Sequence, residues 1–257
     1  MQLFQVDAFT AERFKGNPAG VCLLEEERSA EWMQLVAAEM NVSETAFLRP
    51  AAGAYELRWF TPTVEVDLCG HATLASAHVL FGEDLAENEV RFATASGELV
   101  ASRFEDAIAL DFPALAANEV AAPEGLDGAL GVSATAVSTS RFDWLVELAS
   151  DAEVRSLKPD LARIAALEAR AVIVTARSDA PFDFVSRVFG PRVGFDEDPV
   201  TGSAHCVLGP YWSARLGRDD LYGYQASARG GTVRVRVGAE RVELIGTAVT
   251  VFRTEID

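Results

Sequence analysis

The sequence predicts an α+β fold of two pseudo-symmetric lobes, each a mostly antiparallel, barrel-like sheet wrapped around a central helix. Three observations lead there. First, a pattern occurs twice: Arg58-Trp59-Phe60-Thr61-Pro62 precedes Asp67-Leu68-Cys69-Gly70-His71-Ala72, and Arg187-Val188-Phe189-Gly190-Pro191 precedes Asp198-Pro199-Val200-Thr201-Gly202-Ser203-Ala204. Each copy reads R-x-F-x-P, a short acidic segment, then a glycine opening an apolar stretch of small residues. The repeat is too long for a solenoid unit and implies two similar lobes. Second, the stretch 71–81, ended by Gly82, is small and apolar nearly all round, and 203–216, ended by Gly217, is rich in Ala, Val, Leu, Tyr and Trp. A helix without a polar face is buried on all sides. Third, strand-like runs surround both stretches, at 98–104, 107–112, 144–148, 171–175, 232–237, 241–244 and 248–252.

In chain order, 3–9 reads as a strand, 14–20 as a Gly/Asn/Pro turn and 21–24 as a second strand. Ser29 can cap a helix whose apolar residues Trp32, Leu35, Val36 and Met40 recur at helical spacing, with Asn41 after its end. A strand over 42–48 puts Val42, Glu44, Ala46 and Leu48 on one face, an unusual place for a carboxylate, and 55–60 follows as another strand. The Ala-, Pro- and Gly-rich segment 113–134 contains the predicted lobe boundary. This gives lobes of 1–115, which the C-terminal strand can join, and 116–257, with an active site expected in the cleft between them.

Composition narrows the function. Of 257 residues, 49% are hydrophobic and 24% charged, enough for a core, and the net charge of −17 argues against a nucleic-acid partner. A small anionic substrate remains open, because a few backbone amides suffice to hold it. The N-terminus reads as a strand and not a signal peptide, and no apolar run reaches membrane-spanning length. Cys22, Cys69 and Cys206 are odd in number and widely spaced, as in a reduced cytoplasmic protein. No metal site is expected, since Cys69, His71 and His78 lack zinc spacing along a helix.

The candidate site residues cluster at the repeated helix starts. Gly70, His71 and Ala72, and Thr201, Gly202 and Ser203, open helices whose first-turn amides favour a carboxylate or phosphate; alternatively, the glycines only tighten strand-to-helix turns. Glu44 is either a carboxyl held among apolar neighbours, suited to shuttling a proton, or an edge-strand group reaching solvent. Asp198 is either part of a solvated acidic loop or a substrate-facing group. His71 at a helix N-terminus is expected to be a neutral donor. There is no G-x-S-x-G elbow, Walker A sequence or G-x-G-x-x-G after a strand, and Ser203 and His205 point apart on a helix.

Four stretches together resemble one family across nearly the whole chain. They are Asp7-Ala8-Phe9 with Gly16-Asn17-Pro18-Ala19; Asn41-Val42-Ser43-Glu44-Thr45-Ala46-Phe47; Arg58-Trp59-Phe60-Thr61-Pro62 with Cys69-Gly70-His71-Ala72-Thr73; and Asp198-Pro199-Val200-Thr201-Gly202-Ser203-Ala204. The chain is similar to the PhzF-like proteins of phenazine biosynthesis. The resemblance implies the diaminopimelate-epimerase-like fold, a homodimer, no cofactor, and a biosynthetic isomerase in which Glu44 shuttles a proton. It also implies that His71, Asp198 and Ser203 bind or polarise the substrate. The wider superfamily includes racemases and epimerases that use two cysteines, one at each helix start; here Cys69 stands at the first and Thr201 at the second. The expected function is therefore a cofactor-independent isomerase of a small carboxylic acid. The alternatives are an amino-acid or hydroxy-acid racemase or epimerase using Cys69, and a non-catalytic carboxylate-binding protein.

Overall fold

The computed structural model describes residues 1–256. The chain forms two compact units: Met1–Phe112 together with the chain from Glu243 onward, and Pro113–Val242. No helix among the described residues is long and apolar enough to cross a membrane.

The same sequence of pairings builds each unit. In the first, strand Gln2–Ala8 pairs antiparallel with Asn17–Leu23 and with Ala248–Glu255. Strand Asn17–Leu23 runs parallel to Glu44–Ala51 after a crossover through helix Ala30–Met40. Strand Glu44–Ala51 turns back antiparallel into Ala54–Phe60. Next come the short strand Glu65–Val66, the helix Gly70–Gly82, and strand Glu89–Thr94, which is parallel to Ala54–Phe60. Antiparallel strands Gly97–Phe104 and Ala107–Pro113 follow. In the second unit, the hairpin Ala136–Thr139 and Asp143–Glu147 leads through helices Asp151–Ser156 and Leu161–Ala166 to the parallel strand Ala171–Arg177. Strand Phe184–Gly190 turns back, the short strand Phe195–Asp198 pairs with it, and helix Gly202–Leu216 leads to the parallel strand Asp220–Gln225 and its partner Gly231–Val237.

The two central helices are buried as their composition demands. In Gly70–Gly82, His71 through Ala77 are all buried, and in Gly202–Leu216 so are Ala204 through Gly209. In the first, two buried hydroxyls are satisfied within the helix, Thr73 donating to the Cys69 carbonyl at 2.6 Å and Ser76 to that of Ala72 at 2.7 Å. Pro210 sits inside the second helix without breaking it. Its missing N–H leaves the Cys206 carbonyl without a helical donor, and the amide of Leu115 supplies one at 3.0 Å. Gly209 lets that helix approach the sheet, because a Cβ there would lie 2.6 Å from Val235 Cγ1.

Strands in the second unit are covered on both faces. Leu145, Ile173, Phe184 and Val188 pack with Val207, Leu208 and Trp212 of the central helix, whereas Val146, Val172, Val174, Val185 and Phe189 pack with Leu126, Val154 and Ile164 of the outer helices. That two-sided burial explains why the strand-like run at 171–175 is apolar from Ala171 to Val174 without alternation.

Three local expectations are corrected. The turn expected at 14–20 ends by Gly16, because Asn17 already pairs with Ala8 in a strand. The helix after Ser29 forms, with Ser29 capping the Trp32 amide at 3.2 Å and Asn41 in a left-handed C-cap, but it buries Met33 and Ala37 and leaves Leu35 70% exposed. The strand expected at 42–48 begins at Glu44, and its residues Thr45 through Leu48 are buried on both faces, so alternation does not single out Glu44.

The repeated R-x-F has a physical role. Residues two apart on a strand share a face, so Arg58 lies over the Phe60 ring at 5.2 Å and Arg187 over the Phe189 ring at 4.9 Å. Each arginine then forks onto a glutamate of the following short strand. Arg58 reaches Glu65 at 2.7 and 2.8 Å, and Arg187 reaches Glu197 at 2.8 and 2.8 Å. The motif thus fixes the acidic strand that delivers each helix start.

Arg187 also donates to the carbonyls of Leu157 and Val154, and its side chain is only 13% exposed, against 38% for Arg58. Replacing Arg187 with Ala should therefore cost about 3 kcal/mol by leaving Glu197 and the Leu157 carbonyl without their arginine donor. Arg58→Ala should cost about 1 kcal/mol or less. Urea unfolding of both variants measures the difference, and equal losses would refute the stronger role of Arg187.

Candidate active site

The first helix start brings residues from three segments together. Glu44 opens its strand, Cys69 is the N-cap of helix Gly70–Gly82, and His71 lies in the first turn of that helix. Glu44 Oε2 lies 3.1 Å from His71 Nε2, a close ion-pair contact that is not aligned as a hydrogen bond. On the other edge of the ring, His71 Nδ1 lies 3.3 Å from Asn17 Nδ2 and 3.5 Å from Cys69 Sγ. His71, Cys69 and Asn17 are buried, and the Glu44 side chain is 20% exposed. Glu44 is thus neither sealed in the core nor free at an edge.

The loop that delivers Asn17 is tightly held. The buried Asp7 carboxylate accepts the Phe14 amide at 2.6 Å, and Phe9, Phe14 and Gly16 all take left-handed backbone conformations. A Cβ on Gly16 would lie 2.1 Å from the Ala8 carbonyl oxygen, so only glycine fits that bend.

The electrostatics at this start reverse one expectation. Burial disfavours the His71 imidazolium, but the neighbouring Cys69 and Glu44 outweigh it and hold the His71 pKa well above its ordinary value of 6.5. The helix N-terminus was expected to do the opposite. Burial, aided by the Glu44 charge, raises the Cys69 thiol above its usual range. Glu44 Oε2 thus faces an imidazole whose protonated form is favoured.

No side chain caps either central helix, so the first-turn amides of Gly70 and His71, and of Gly202 and Ser203, keep the anion-attracting character of a helix start. The second start is otherwise built from a network of hydrogen bonds. Thr201 donates its hydroxyl to Asp198 Oδ2 at 2.6 Å and its amide to Gln225 Oε1 at 2.9 Å. Gln225, fully buried, donates to the Asp198 carbonyl at 2.7 Å. His205 Nδ1 lies 2.8 Å from the Thr201 carbonyl. Ser203 accepts a hydrogen bond from Arg170 at 3.0 Å, and Arg170 is itself forked onto the buried Asp143 at 2.9 and 2.6 Å. The three consecutive acids part ways: Asp196 is exposed, Glu197 pairs with Arg187, and Asp198 is half-buried against Thr201.

The structure therefore groups Glu44, Gly70, His71 and Ala72 in one unit, and Asp198, Thr201, Gly202 and Ser203 in the other. Sequence reasoning missed Asn17, Asp143, Arg170 and Gln225. Gln225 carried a usable signal, because alternation along Asp220–Gln225 places it inward with the buried Leu221 and Gly223. Asn17 read only as a turn residue. Glu44, Cys69 and His71 each offer one ligand atom, all within 4.8 Å of one another, and so could hold a metal ion.

Comparison with known proteins places this geometry among relatives. Residues 6–254 match the family described as phenazine biosynthesis-like protein, PhzC-PhzF. An uncharacterized isomerase of Halalkalibacterium halodurans is 49% identical over 258 residues, covering 99% of this chain and 97% of that protein. The crystal structure of a PhzF-family phenazine biosynthesis protein from Enterococcus faecalis is 42% identical and superposes with a TM-score of 0.96, covering 100% of this chain and 98% of that one. A probable proline racemase from Agrobacterium radiobacter shares the fold at 12% identity and a TM-score of 0.69, with 100% and 92% covered.

Two buried histidines should titrate in opposite directions. The raised pKa of His71 means that its contribution to stability is complete below pH 6.5 and is lost as pH rises through its folded value. His205 is pushed down to about 4 by burial, so its contribution is complete above pH 6.5 and declines as pH falls from 6.5 to about 4. Proton NMR of the two imidazoles should show His71 protonated above pH 6.5 and His205 neutral down to about pH 4. Glu44→Gln should lower the His71 value, and an unchanged value would show that Glu44 does not set it.

Proposed function

The chain belongs to the phenazine biosynthesis-like, PhzC-PhzF family, and from that premise we propose that it is a cofactor-independent isomerase that moves a proton on a small carboxylic acid. Glu44 removes a proton from an acidic carbon, the electron pair delocalises toward the carboxylate, and Glu44 returns the proton at another carbon. Atoms and electrons are conserved, as an isomerisation requires. Protonated His71, 3.1 Å from Glu44, orients the carboxylate base and stabilises the negative charge that develops. We assign the substrate carboxylate to the first-turn amides of Gly70, His71 and Ala72. A cytoplasmic homodimer is part of the proposal, and light scattering on the purified protein tests its oligomeric state.

The observation that carries this reading is the Glu44–His71 contact at a buried helix start whose counterpart lacks a second thiol. Thr201 stands where a two-cysteine racemase needs its partner. Cys206 lies a turn deeper, buried, with its pKa pushed up to about 12. The uncharacterized isomerase of Halalkalibacterium halodurans lends the reaction class.

Incubating the protein with a panel of small carboxylic acids in deuterated water, and following solvent exchange by NMR, tests the assignment. With an acid that exchanges, Glu44→Gln should lower the rate by roughly 10²–10⁴-fold while binding persists. Undiminished exchange would remove Glu44 from the mechanism. Cys69→Ser distinguishes the thiol-based racemase, which predicts loss of exchange, from the glutamate mechanism, which predicts that exchange continues.

A further inference from the structure

The proton transfer proposed above leaves the buried Cys69 thiol without a part. Cys69 Sγ lies 3.5 Å from His71 Nδ1, on the ring edge away from Glu44, and its thiol serves no step between Glu44 and His71. Glu44, Cys69 and His71 nonetheless present an oxygen, a sulfur and a nitrogen within 4.8 Å of one another. A mixed S, N, O donor set suits zinc and related borderline ions, and does not suit magnesium or calcium, which take oxygen. All three ligands sit on regular structure: the first residue of a strand, a helix N-cap and a first helical turn.

The spacing is close to what an ion requires. Zinc bonds of about 2.0–2.3 Å place the ligand atoms of a tetrahedral site roughly 3.5 Å apart. The Glu44–His71 and Cys69–His71 separations are already 3.1 and 3.5 Å. These two distances involve different ring nitrogens, and an ion takes only one, so binding requires the His71 or Cys69 side chain to turn until all three donors, already within 4.8 Å, face it. The fourth position remains for water.

We propose that Glu44, Cys69 and His71 form a binding site for a zinc-class divalent cation, and that the bound ion reversibly inhibits the protein by engaging Glu44 and His71. Coordination exchanges the Cys69 S–H bond for a metal–sulfur bond and one His71 N–H bond for a metal–nitrogen bond, and both protons leave to solvent. The inhibitory half rests on the isomerase reading; the binding half does not.

Cobalt(II) is the probe for binding. Added to the full-length chain after chelator treatment, under a phosphine reductant, it should give a thiolate-to-cobalt charge-transfer band in the near ultraviolet. The band should saturate at one ion per chain, and zinc should displace it. Cys69→Ser should lose the band, with circular dichroism reporting an intact fold. Glu44→Gln and His71→Asn should each weaken binding at least roughly tenfold, since even outer-shell changes at metal sites cost that much. Cys22→Ser and Cys206→Ser should keep the band, excluding the other buried thiols as its source. No band in the unmodified protein, or a band that survives Cys69→Ser, would overturn the site. If an exchanging acid is found, zinc should stop exchange, and exchange that continues with the ion bound overturns the inhibitory half. A band with no exchange in any acid supports the site and counts against the isomerase reading.

Discussion

A helix with no polar face cannot lie on a surface, and burying the helix Gly70–Gly82 on every side is the constraint from which the first unit and its chemistry follow. A sheet must curl around it, so the crossover from Ala54–Phe60 to the parallel strand Glu89–Thr94 runs through the interior. The buried helix also carries its own N-terminus inward. First-turn amides that would meet water on a surface helix here meet other protein segments. His71, buried with them, sits against Asn17, Glu44 and Cys69. A burial requirement has thus become a cluster of titratable groups.

The R-x-F clamp makes that arrangement repeatable. An arginine stacked on a phenylalanine two residues away has its guanidinium fixed in direction, and the fork onto Glu65 or Glu197 locks the short strand before each helix start. Four residues after each glutamate the chain reaches the helix N-cap, Cys69 in one unit and Thr201 in the other, with no side-chain cap in either. The clamp explains why the motif precedes the glycine in both copies: the strand must be held before the helix can be aimed.

Much of this was legible in the sequence, and the failures have physical causes. The doubled motif, the buried helices and the capped helix after Ser29 are local or periodic features, and each appears where periodicity and capping chemistry place it. The apolar stripe of that capped helix was misassigned because Leu35 and Met33 are both apolar, and hydrophobicity alone does not say which faces the sheet. Glu44 drew notice through an alternation argument that fails, since its strand is covered on both faces; its proximity to His71 is a long-range contact that no spacing rule encodes. Asn17 and Arg170 escaped for the same reason. The zinc-spacing rule examined Cys69, His71 and His78 along one helix, whereas the third group near Cys69 and His71 comes from a strand.

The two helix starts solve one structural problem with different chemistry, and the difference carries the functional argument. At the second, Gln225, Thr201 and Asp198 close a network whose donors and acceptors satisfy each other, and His205 is held neutral by burial. Such a start is rigid and can present amides without exchanging protons. At the first, Glu44 and His71 form a contact whose geometry is close but unaligned, next to a thiol kept neutral by burial. A pair of this kind changes charge state when either partner gains or loses a proton, and low-dielectric surroundings make each change felt by the other. The two starts therefore differ in what they hold. A thiol at each would make them alike; with Cys69 at the first and Thr201 at the second, they are not.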